Sequence, residues 1–473
     1  MIWVPEQVSN HQIVVIGGGP GGYATALYGA SAGLDIALVE KGKLGGTCLH
    51  VGCIPAKELL ETASVYRHVR HAAEFGVNTS APTLDWSVTM ARKQKIVDQL
   101  CAGLGALLKG RKVTVYNGVA TLGADRVVTV TGPDGSVVQL QAEQVVLAAG
   151  SVPRTIEGFE VDGRLITTSD EVLSIDRLPA SAIVIGGGAI GCEFASMMAD
   201  LGTKVTILEA MPKILPGCDR DVADVVVRSF KKRGITIRTG VPVTGHTPSD
   251  DQRSTTVHFG DNEHESVELV VVSVGRRPFA DQLALDGSGV TVDSRGYVEV
   301  DELGRTSVAG VYAVGDLIAT PQLAHIAFVE GMNVIKDILG EAPVPVDYDK
   351  IPWAIYCHPE VAFVGFSEEQ ALAQGFEVVT SKHRHAGNSR SMIIGEVEGL
   401  VKVIAEKQAD GTGGRVLGVH MVGPWATEQL GQGYLAVNWE ATVEEVAHLV
   451  QPHPTISELF GESMLSLTGR SLH

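Results

Sequence analysis

The sequence predicts an α/β protein with two similar parallel-sheet domains and a C-terminal α+β domain. Two stretches, at residues 13–40 and 182–209, repeat one strand–turn–helix–strand pattern. From residue 351 onward the pattern changes to alternating strands followed by helices. With 473 residues, of which 45% are hydrophobic and 55 are glycine, the chain is long enough to form several buried cores.

The first stretch, IVVIGGGPGGYATALYGASAGLDIALVE, combines a β-branched strand with a glycine-rich turn. Gly17, Gly19 and Gly22 follow the strand in G-x-G-x-x-G spacing, and a second strand ends in Glu40. Such glycines allow a tight turn and a close approach of the backbone to a pyrophosphate. The amides of the next helix N-terminus then bind the phosphate, and the acid holds a ribose hydroxyl. The stretch therefore predicts a Rossmann-like dinucleotide-binding domain.

The second stretch, AIVIGGGAIGCEFASMMADLGTKVTILE, has the same parts. Its glycines are Gly186, Gly188 and Gly191, and its acid is Glu209. The interval from the first glycine to the acid is the same in both stretches, 17 to 40 and 186 to 209. One such motif also fits an ordinary glycine-rich turn, but two copies in the same context favour two dinucleotide sites.

The segments between and after these stretches predict the domain organisation. QVVLAAGSVP (144–153) and LVVVSVGRRP (269–278) end in glycine turns and predict two chain crossings between domains. SVAGVYAVGD (307–316) predicts a strand that returns to the first domain and ends in Asp316. The expected domains are residues 1–150, the first nucleotide-binding domain; 151–280, the second; 281–350, a central segment completing the first; and 351–473, the C-terminal domain.

The charge balance excludes some partners. There are 37 basic and 55 acidic residues, a formal net charge of −18, so binding to nucleic acid or an anionic membrane surface is not expected.

No apolar run approaches the roughly 18 residues that span a bilayer. No signal peptide pattern is visible, which predicts a cytoplasmic protein. No metal site is expected, because the cysteines lack the paired spacing of zinc ligands.

Cys48 and Cys53, in GGTCLHVGCIPAK, are the only closely spaced cysteines among six. In a regular helix such residues have Cα atoms about 8 to 9 Å apart, whereas a disulfide requires about 7 Å or less. Gly52 and Pro55 predict a break in the helix that allows the two to bridge. A new helix beginning near Cys53, with Lys57 on the same face, predicts a lowered pKa for this thiol.

Two inert cysteines buried at a turn remain the alternative from this segment alone. The position directly after the first nucleotide stretch favours a redox pair instead. GGTCLHVGCIPAK also resembles the active-site segment of the pyridine nucleotide–disulfide oxidoreductases, and the resemblance extends from IVVIGGGPGG to HPTISE. The chain departs from that family at His50, Ala56 and Ala149, of which Ala149 puts one flavin contact in doubt.

This resemblance implies a mechanism. FAD is expected at the first glycine motif, because the cysteines must lie against the flavin, and a nicotinamide nucleotide at the second. Cys48 is expected to exchange with substrate and Cys53 to face the flavin, with Lys57 paired to Glu193. Glu209 repels a 2′-phosphate and no arginine follows within ten residues, so NAD is expected rather than NADP.

The same resemblance carries over the cofactor contacts residue by residue. The expected FAD contacts are Gly17, Gly19, Gly22, Glu40, Lys41, Gly46, Thr47, Lys57, Gly118, Ala120, Gly150, Asp316, Leu323, Ala324 and His325. The expected NAD contacts are Gly186, Gly188, Ile190, Gly191, Glu193, Glu209 and Gly275.

QPHPTISELF, near the C-terminus, contains His453 and Glu458. Pro454 disfavours helical backbone at His453, which places the imidazole on a loop. Thr455 to Glu458 fits a capping box, so the pattern alone leaves Glu458 open to a purely structural role. The family resemblance implies instead that His453 is the catalytic base, that Glu458 orients it, and that the partner subunit of a homodimer supplies it.

The implied reaction is oxidation of protein-bound dihydrolipoamide to lipoamide with reduction of NAD⁺. The implied partner is a lipoyl-bearing acyltransferase of a 2-oxo-acid dehydrogenase complex, or the glycine cleavage carrier protein. A related reductase of another small disulfide and a non-catalytic scaffold subunit remain the alternatives. Four intact residues, Cys48, Cys53, His453 and Glu458, argue against the scaffold.

Overall fold

The computed structural model describes residues 8–472. The first part of the chain contains, in order, β1 (Val8–Ile16), α1 (Pro20–Ser31), β2 (Ile36–Glu40), α2 (Gly46–His50), α3 (Cys53–His71), α4 (Trp86–Gly110), β3 (Thr114–Asn117), β4 (Val119–Leu122), β5 (Val127–Thr131) and β6 (Val137–Leu147). The second part contains β7 (Ser151–Pro153), β8 (Ile166–Thr168), β9 (Ser181–Ile185), α5 (Ala189–Asp200), β10 (Lys204–Glu209), α6 (Arg220–Lys232), β11 (Thr236–Thr239), β12 (Val243–Pro248), β13 (Thr255–Phe259), β14 (Glu263–Val267), β15 (Leu269–Val272) and β16 (Arg276–Pro278).

The remaining elements lead into the C-terminal domain. They are β17 (Val311–Ala313), α7 (Ala324–Ile338), β18 (Trp353–Ile355), β19 (Glu360–Gly365), α8 (Glu368–Ala373), β20 (Val378–Arg384), α9 (Ser389–Ile393), β21 (Leu400–Lys407), β22 (Gly413–Gly423), α10 (Ala426–Asn438), α11 (Val443–Ala447) and α12 (Glu458–Leu467). Within residues 8–472, no helix is long and apolar enough to cross a membrane.

The first sheet has the order β3-β2-β1-β6-β5-β4, and β17 also pairs with β6. β1, β2, β3, β6 and β17 run parallel, and both faces of β1 are covered, as is typical of a parallel sheet. Ile16 of β1 and Ala313 of β17 are both in register with Leu147 of β6. The turns after these three strands therefore meet at the carboxyl edge of the sheet, where such folds bind ligands.

The second sheet repeats this arrangement with five parallel strands in the order β11-β10-β9-β15-β8. Ile185 of β9 is in register with Leu208 of β10 and Val272 of β15, so the second glycine motif also lies at a carboxyl edge. An antiparallel sheet, β12-β13-β14, follows. The chain passes between the two parallel sheets at β7 and β16, which pair with each other antiparallel.

The C-terminal domain is an antiparallel sheet, β18-β19-β22-β21-β20, with α10, α11 and α12 packed on one face. Because side chains alternate along a strand, β19 has two apolar faces. Ala362 and Val364 pack with α10 and α12, whereas Val361 and Phe363 pack in a core shared with α3, α5 and α6. The predicted α/β fold with a C-terminal α+β domain is confirmed.

Candidate active site

The two glycine motifs form the same local structure. Gly17 and Gly186 have φ values of 109° and 107°, and a Cβ on them would lie 2.2 Å and 2.4 Å from a backbone oxygen. A Cβ on Gly22 or Gly191 would lie 1.7 Å or 2.0 Å from the carbonyl oxygen of the motif's first glycine. The first and third glycines are therefore required by positive φ and by close helix–strand packing.

The acid that ends the second strand of each unit is held in the same way. Glu40 accepts hydrogen bonds from the amides of Gly18 and Gly42, each at 2.7 Å. Glu209 accepts them from Gly187 at 2.6 Å and from Met211 at 2.7 Å. Each carboxylate is therefore fixed at its own glycine turn and retains lone pairs for a ribose hydroxyl.

The helix that follows each turn presents free amides. The N-cap residues, Gly19 of α1 and Gly188 of α5, supply no side-chain cap, and neither first turn contains an acid. A Cβ on Gly188 would have no heavy atom within 4 Å, and one on Gly19 would come no closer than 3.8 Å, to the Gly46 Cα. These open, uncapped helix N-termini fit the pyrophosphate of a dinucleotide.

A cavity of about 430 Å³ runs from the first glycine turn past the cysteines to α5. It brings together many of the residues that the sequence predicts for the site. They are Gly17, Gly19, Glu40, Lys41, Gly46, Thr47, Cys48, Cys53, Lys57, Gly118, Ala120, Gly150, Ile190, Glu193, Asp316, Leu323 and Ala324.

Other predicted residues do not line this cavity. His325 is exposed, and its Nε2 is 2.9 Å from the Pro352 carbonyl oxygen. Gly22 is used in packing, as described above. The remainder are Gly186, Gly188, Gly191, Glu209 and Gly275, at the second glycine turn and its neighbouring crossing, and His453 with Glu458.

Cys48 and Cys53 lie on two successive helices, α2 and α3. α2 ends at His50 and α3 begins at Cys53, so the predicted helix break is present at Gly52, whose φ and ψ are −148° and −120°. All six cysteines are free thiols in the structure, and Cys48 and Cys53 are hydrogen-bonded to each other. The pair is therefore close enough to exchange a proton or to form a disulfide.

The two thiols have different affinities for protons. The hydrogen bond from Cys48, together with the Lys57 cation, lowers the pKa of the Cys53 thiol to about 7. The same hydrogen bond, with burial, raises the pKa of the Cys48 thiol above its usual range. The direction agrees with the lowered pKa that the sequence predicts for Cys53 from its helix N-terminus and Lys57, but the main cause is the neighbouring thiol. Charge concentrates on Cys53, and Cys48 keeps the proton.

Lys57 connects the dithiol to the second sheet and the C-terminal domain. Its Nζ lies 2.8 Å from Glu193 Oε2 and 5.0 Å from the Tyr356 ring centroid. Glu193 Oε1 also accepts a hydrogen bond from the Tyr356 amide at 2.9 Å. Although burial opposes its charge, this carboxylate raises the pKa of Lys57, so the cation beside Cys53 is maintained.

His453 and Glu458 form a pair away from the dithiol. His453 Nδ1 lies 2.6 Å from Glu458 Oε1, and the imidazole is 75% exposed. α12 begins at Glu458 with Ser457 rather than Thr455 as its N-cap and has no side-chain cap, so the capping box that the pattern left open at Thr455–Glu458 is not complete. Glu458 nevertheless lies 3.4 Å from the Thr455 amide. One carboxylate thus both supports the turn and orients the exposed imidazole.

Sequence reasoning missed several polar residues that line the cavity. Ser151 Oγ donates to Asp316 Oδ2 at 2.5 Å, and Arg276 Nε donates to Ser151 Oγ at 2.7 Å. Phe279 and Gln282 were also missed: the Nζ of Lys41, a predicted residue, lies 3.9 Å from the Phe279 ring centroid and donates to Gln282. The available signal was the pair of crossings, SVP and GRRP, which the sequence predicts as connections but not as site residues.

A dithiol with one charged sulfur, in a cavity that runs from one dinucleotide-binding turn to the helix that follows the other, is typical of a two-electron oxidoreductase. Residues 11–331 match the model of the family described as pyridine nucleotide-disulphide oxidoreductase, and residues 351–464 match the dimerisation domain of the same family. The chain belongs to the pyridine nucleotide–disulfide oxidoreductase family, and it forms a homodimer.

Relatives match along nearly the whole chain. A dihydrolipoyl dehydrogenase of Bacillus subtilis is 38% identical, over 98% of this chain and 99% of that protein. A leghemoglobin reductase of Glycine max is 37% identical, over 97% of this chain and 87% of that protein. LpdA from Mycobacterium tuberculosis has a TM-score of 0.90 and 26% identity, over 97% of this chain and 99% of that one. The HOCl-induced flavoprotein disulfide reductase RclA from Escherichia coli has a TM-score of 0.85 and 26% identity, over 97% of this chain and 99% of that one.

The chain is an enzyme of this family, and its cofactors are FAD and NAD. The open, uncapped N-termini of α1 and α5 and the carboxylates of Glu40 and Glu209 fit two dinucleotides. Among the described residues, no cluster of three or more His, Cys, Asp or Glu side chains is arranged to hold a metal ion.

Proposed function

We propose that this protein oxidises protein-bound dihydrolipoamide to lipoamide and reduces NAD⁺. The observation that carries the proposal is the Cys48–Cys53 pair, with its charge on Cys53, in the cavity that runs from the first dinucleotide-binding turn to α5 of the second unit. Similarity to the B. subtilis dihydrolipoyl dehydrogenase supports dihydrolipoamide as the substrate.

The proposed exchange begins with Cys48 and Cys53 joined as a disulfide. A substrate thiolate attacks Cys48 Sγ, the Cys48–Cys53 bond breaks, and Cys53 leaves as the thiolate that its lowered pKa favours. The second substrate thiolate then attacks the substrate sulfur of the mixed disulfide, forming lipoamide and releasing Cys48. FAD, when bound, would supply the two-electron chemistry that couples reoxidation of the dithiol to reduction of NAD⁺.

We propose unequal proton requirements for the two thiols. Cys53 needs no base, because Cys48 and Lys57 lower its pKa to about 7. Cys48 has a raised pKa, so its proton and those of the substrate need a base. His453, oriented by Glu458 at 2.6 Å and 75% exposed, is the proposed base. Because neither residue lines the dithiol cavity of its own chain, the proposal assigns the imidazole to the partner subunit's site.

We propose FAD at the first glycine motif and NAD at the second. The cysteines lie in the cavity that begins at Gly17 and Glu40, which supports the first assignment. At the second motif, Glu209 already accepts two amide hydrogen bonds, and a 2′-phosphate there would meet its negative charge. The other cofactor contacts carried over from the sequence are proposed with the same assignment.

The partner, the compartment and the domain limits are also proposals. The lipoyl group would be carried by an acyltransferase of a 2-oxo-acid dehydrogenase complex or by the glycine cleavage carrier protein. A cytoplasmic location is proposed because four of the six cysteines lie far apart in the sequence, without the disulfide framework of small secreted proteins. The limits 1–150, 151–280, 281–350 and 351–473 are supported by the crossings at β7 and β16 and the return of β17 to the first sheet.

Anaerobic titration of the purified yellow protein with dihydrolipoamide tests the proposed function. One equivalent should produce a long-wavelength charge-transfer band, because the proposed FAD position would place the flavin against the Cys53 thiolate, and NAD⁺ should then remove the band. A colourless protein that FAD cannot reconstitute would support the scaffold alternative. A band that appears only with another small dithiol, and not with dihydrolipoamide, would support the alternative of a related reductase of another small disulfide.

A further inference from the structure

Arg276 lies where the chain returns from the second sheet to the first. It is the first residue of β16, which pairs with β7, and these two strands carry both chain crossings between the parallel sheets. The ribbon is extended by backbone hydrogen bonds from Arg154 to Gly275 and from Phe279 to Gly150, both at 2.9 Å. Because the chain crosses between the two sheets here, a change in their relative position would distort this ribbon.

The guanidinium of Arg276, on β16, hydrogen-bonds to Ser151 on β7 and so links the two strands of the ribbon. Nε donates to Ser151 Oγ at 2.7 Å, and Nη2 donates to the Ser151 carbonyl oxygen at 2.8 Å. The Arg154 side chain also donates to the Arg276 carbonyl oxygen at 2.9 Å. The Arg276 side chain is only 10% exposed and lines the cavity. A planar, multidentate donor is well suited to fix such a ribbon in one geometry.

Arg276 also lies between two carboxylates, Asp170 of the second nucleotide-binding unit and Asp316 of the first. Nη1 lies 3.5 Å from Asp170, which follows β8 of the second sheet, and Nε lies 4.0 Å from Asp316, which follows β17 of the first. Ser151 Oγ connects Arg276 to Asp316 by a further hydrogen bond at 2.5 Å. Burial raises the pKa of Asp316, and the Ser151 hydrogen bond and the Arg276 charge oppose that change.

We propose that Arg276 is a positioning residue for hydride transfer, which sets the nicotinamide-binding unit against the flavin through Ser151, Asp170 and Asp316. This inference rests on the proposed assignment of FAD to the first motif and NAD to the second. It goes beyond that assignment because it gives the interdomain crossing a specific role in one half of the reaction.

The proposed role affects the two half-reactions differently. Reduction by the dithiol requires Cys48, Cys53 and the first unit, and Arg276 takes no part in the Lys57–Glu193 pair that connects the dithiol to the second unit. Transfer to NAD⁺ requires the second unit to be correctly placed, since a misplacement of about 1 Å can cost about a hundredfold in rate. Loss of Arg276 should therefore slow the second half-reaction selectively.

The test measures both half-reactions by stopped flow in the FAD-loaded holoenzyme. In Arg276→Met, reoxidation by NAD⁺ should slow at least tenfold, while reduction by dihydrolipoamide should change less than twofold. Arg276→Lys, which keeps the charge and one donor, should recover part of the NAD⁺ rate. The matched control is Arg277→Met, because Arg277 is 48% exposed, pairs with Asp281 at 2.9 Å and lies outside the cavity. It should leave both rates unchanged.

A readout independent of turnover is hydrogen–deuterium exchange of the ribbon. Arg276→Met should speed exchange in residues 150–154 and 275–279, and Arg277→Met should not. Equal slowing of both half-reactions, an unchanged NAD⁺ rate, or unchanged exchange in Arg276→Met would overturn the inference. If Arg276→Met does not fold, the test falls to Arg276→Lys, which should slow reoxidation by NAD⁺ selectively. An Arg276→Lys enzyme with a wild-type NAD⁺ rate would then overturn the inference. A wild-type enzyme that dihydrolipoamide cannot reduce would instead contradict the proposed function.

Discussion

At the scale of single residues, the site depends on a difference between two thiols. Cys53 receives a hydrogen bond from Cys48 and the charge of Lys57, and its pKa falls to about 7. Cys48 donates that hydrogen bond, and its pKa rises. The stable charge is therefore on the sulfur beside the proposed flavin position, and the sulfur that meets substrate needs a base.

Cys48→Ser should abolish oxidation of dihydrolipoamide while FAD remains bound, because a hydroxyl cannot form the mixed disulfide. Turnover and the flavin spectrum of the purified variant check this. Cys101→Ser is the matched control, since Cys101 contacts His50 at 3.2 Å and lies outside the dithiol cavity. It should keep near wild-type turnover. Full turnover in Cys48→Ser would show that the exchange thiol is wrongly assigned.

The charge-transfer band of the two-electron-reduced enzyme should titrate with a midpoint near pH 7. Only the Cys53 thiolate gives the band, so absorbance should be present above the pKa of about 7 and lost as the pH falls through it. Lys57→Gln should move the midpoint to higher pH, because it removes a cation and leaves Glu193 uncompensated. Lys43→Gln serves as the control, because Lys43 is an exposed cation outside the dithiol cavity. A midpoint that Lys57→Gln leaves unchanged contradicts the proposed electrostatics.

At the scale of secondary-structure elements, the break between α2 and α3 brings the two thiols together. Gly52 occupies that break, and a Cβ on it would lie 2.8 Å from the Thr47 carbonyl oxygen and 3.3 Å from the Cys48 Cα. Both neighbours are backbone atoms, so the clash can be relieved only by moving α2. The geometry of the dithiol is therefore set by a residue without any chemistry of its own.

Gly52→Ala should reduce turnover by at least tenfold and lower the thermal midpoint, because it displaces Cys48 from Cys53. Activity and a melting curve of the holoenzyme measure both effects. Gly103→Ala, inside α4, is the control, since a Cβ there has no heavy atom within 4 Å. Alanine in a helix interior is favoured over glycine by roughly 0.5–1 kcal/mol, so this variant should be as stable as wild type or slightly more so. Wild-type turnover in Gly52→Ala would contradict the proposed role of the break.

Elements with a local signal were predictable from sequence, and those formed by distant contacts were not. The strand–turn–helix–strand units were predicted because their glycines and terminal acids bond within the unit, as the Gly18–Glu40 and Gly187–Glu209 hydrogen bonds do. The helix break at Gly52 was predicted because its signal, Gly52 followed by Pro55, is also local. The Arg276, Ser151 and Asp316 network was missed, because three separate parts of the chain meet only in the folded molecule.

At the scale of the whole molecule, the chain divides the reaction between two subunits in the proposed mechanism. The dithiol lies in the cavity of one chain, and the exposed His453–Glu458 pair lies at the start of α12, outside that cavity. The C-terminal domain that carries this pair also packs one sheet face against α3, α5 and α6. It therefore has a fixed position from which to present an imidazole to a partner.

Mixed dimers of Cys48→Ser and His453→Ala should recover activity that neither variant has alone. If the base comes from the partner, one of the two sites in the mixed dimer combines an intact Cys48 with an intact His453. Co-expression with two affinity tags, followed by tandem purification, isolates that species, and its turnover per dimer should be about half that of wild type. Mixed dimers as inactive as both parents would mean that thiol and base act within one chain.

The central claim, oxidation of dihydrolipoamide by NAD⁺ through Cys48 and Cys53, is tested most directly by steady-state specificity. The measurement compares kcat/KM for free dihydrolipoamide with NAD⁺ against kcat/KM for glutathione disulfide with NADPH, using the same FAD-loaded dimer. The first value should exceed the second by at least a hundredfold, because Glu209 opposes a 2′-phosphate and because the substrate is a dithiol. Comparable values, or a preference for glutathione disulfide with NADPH, would contradict the claim.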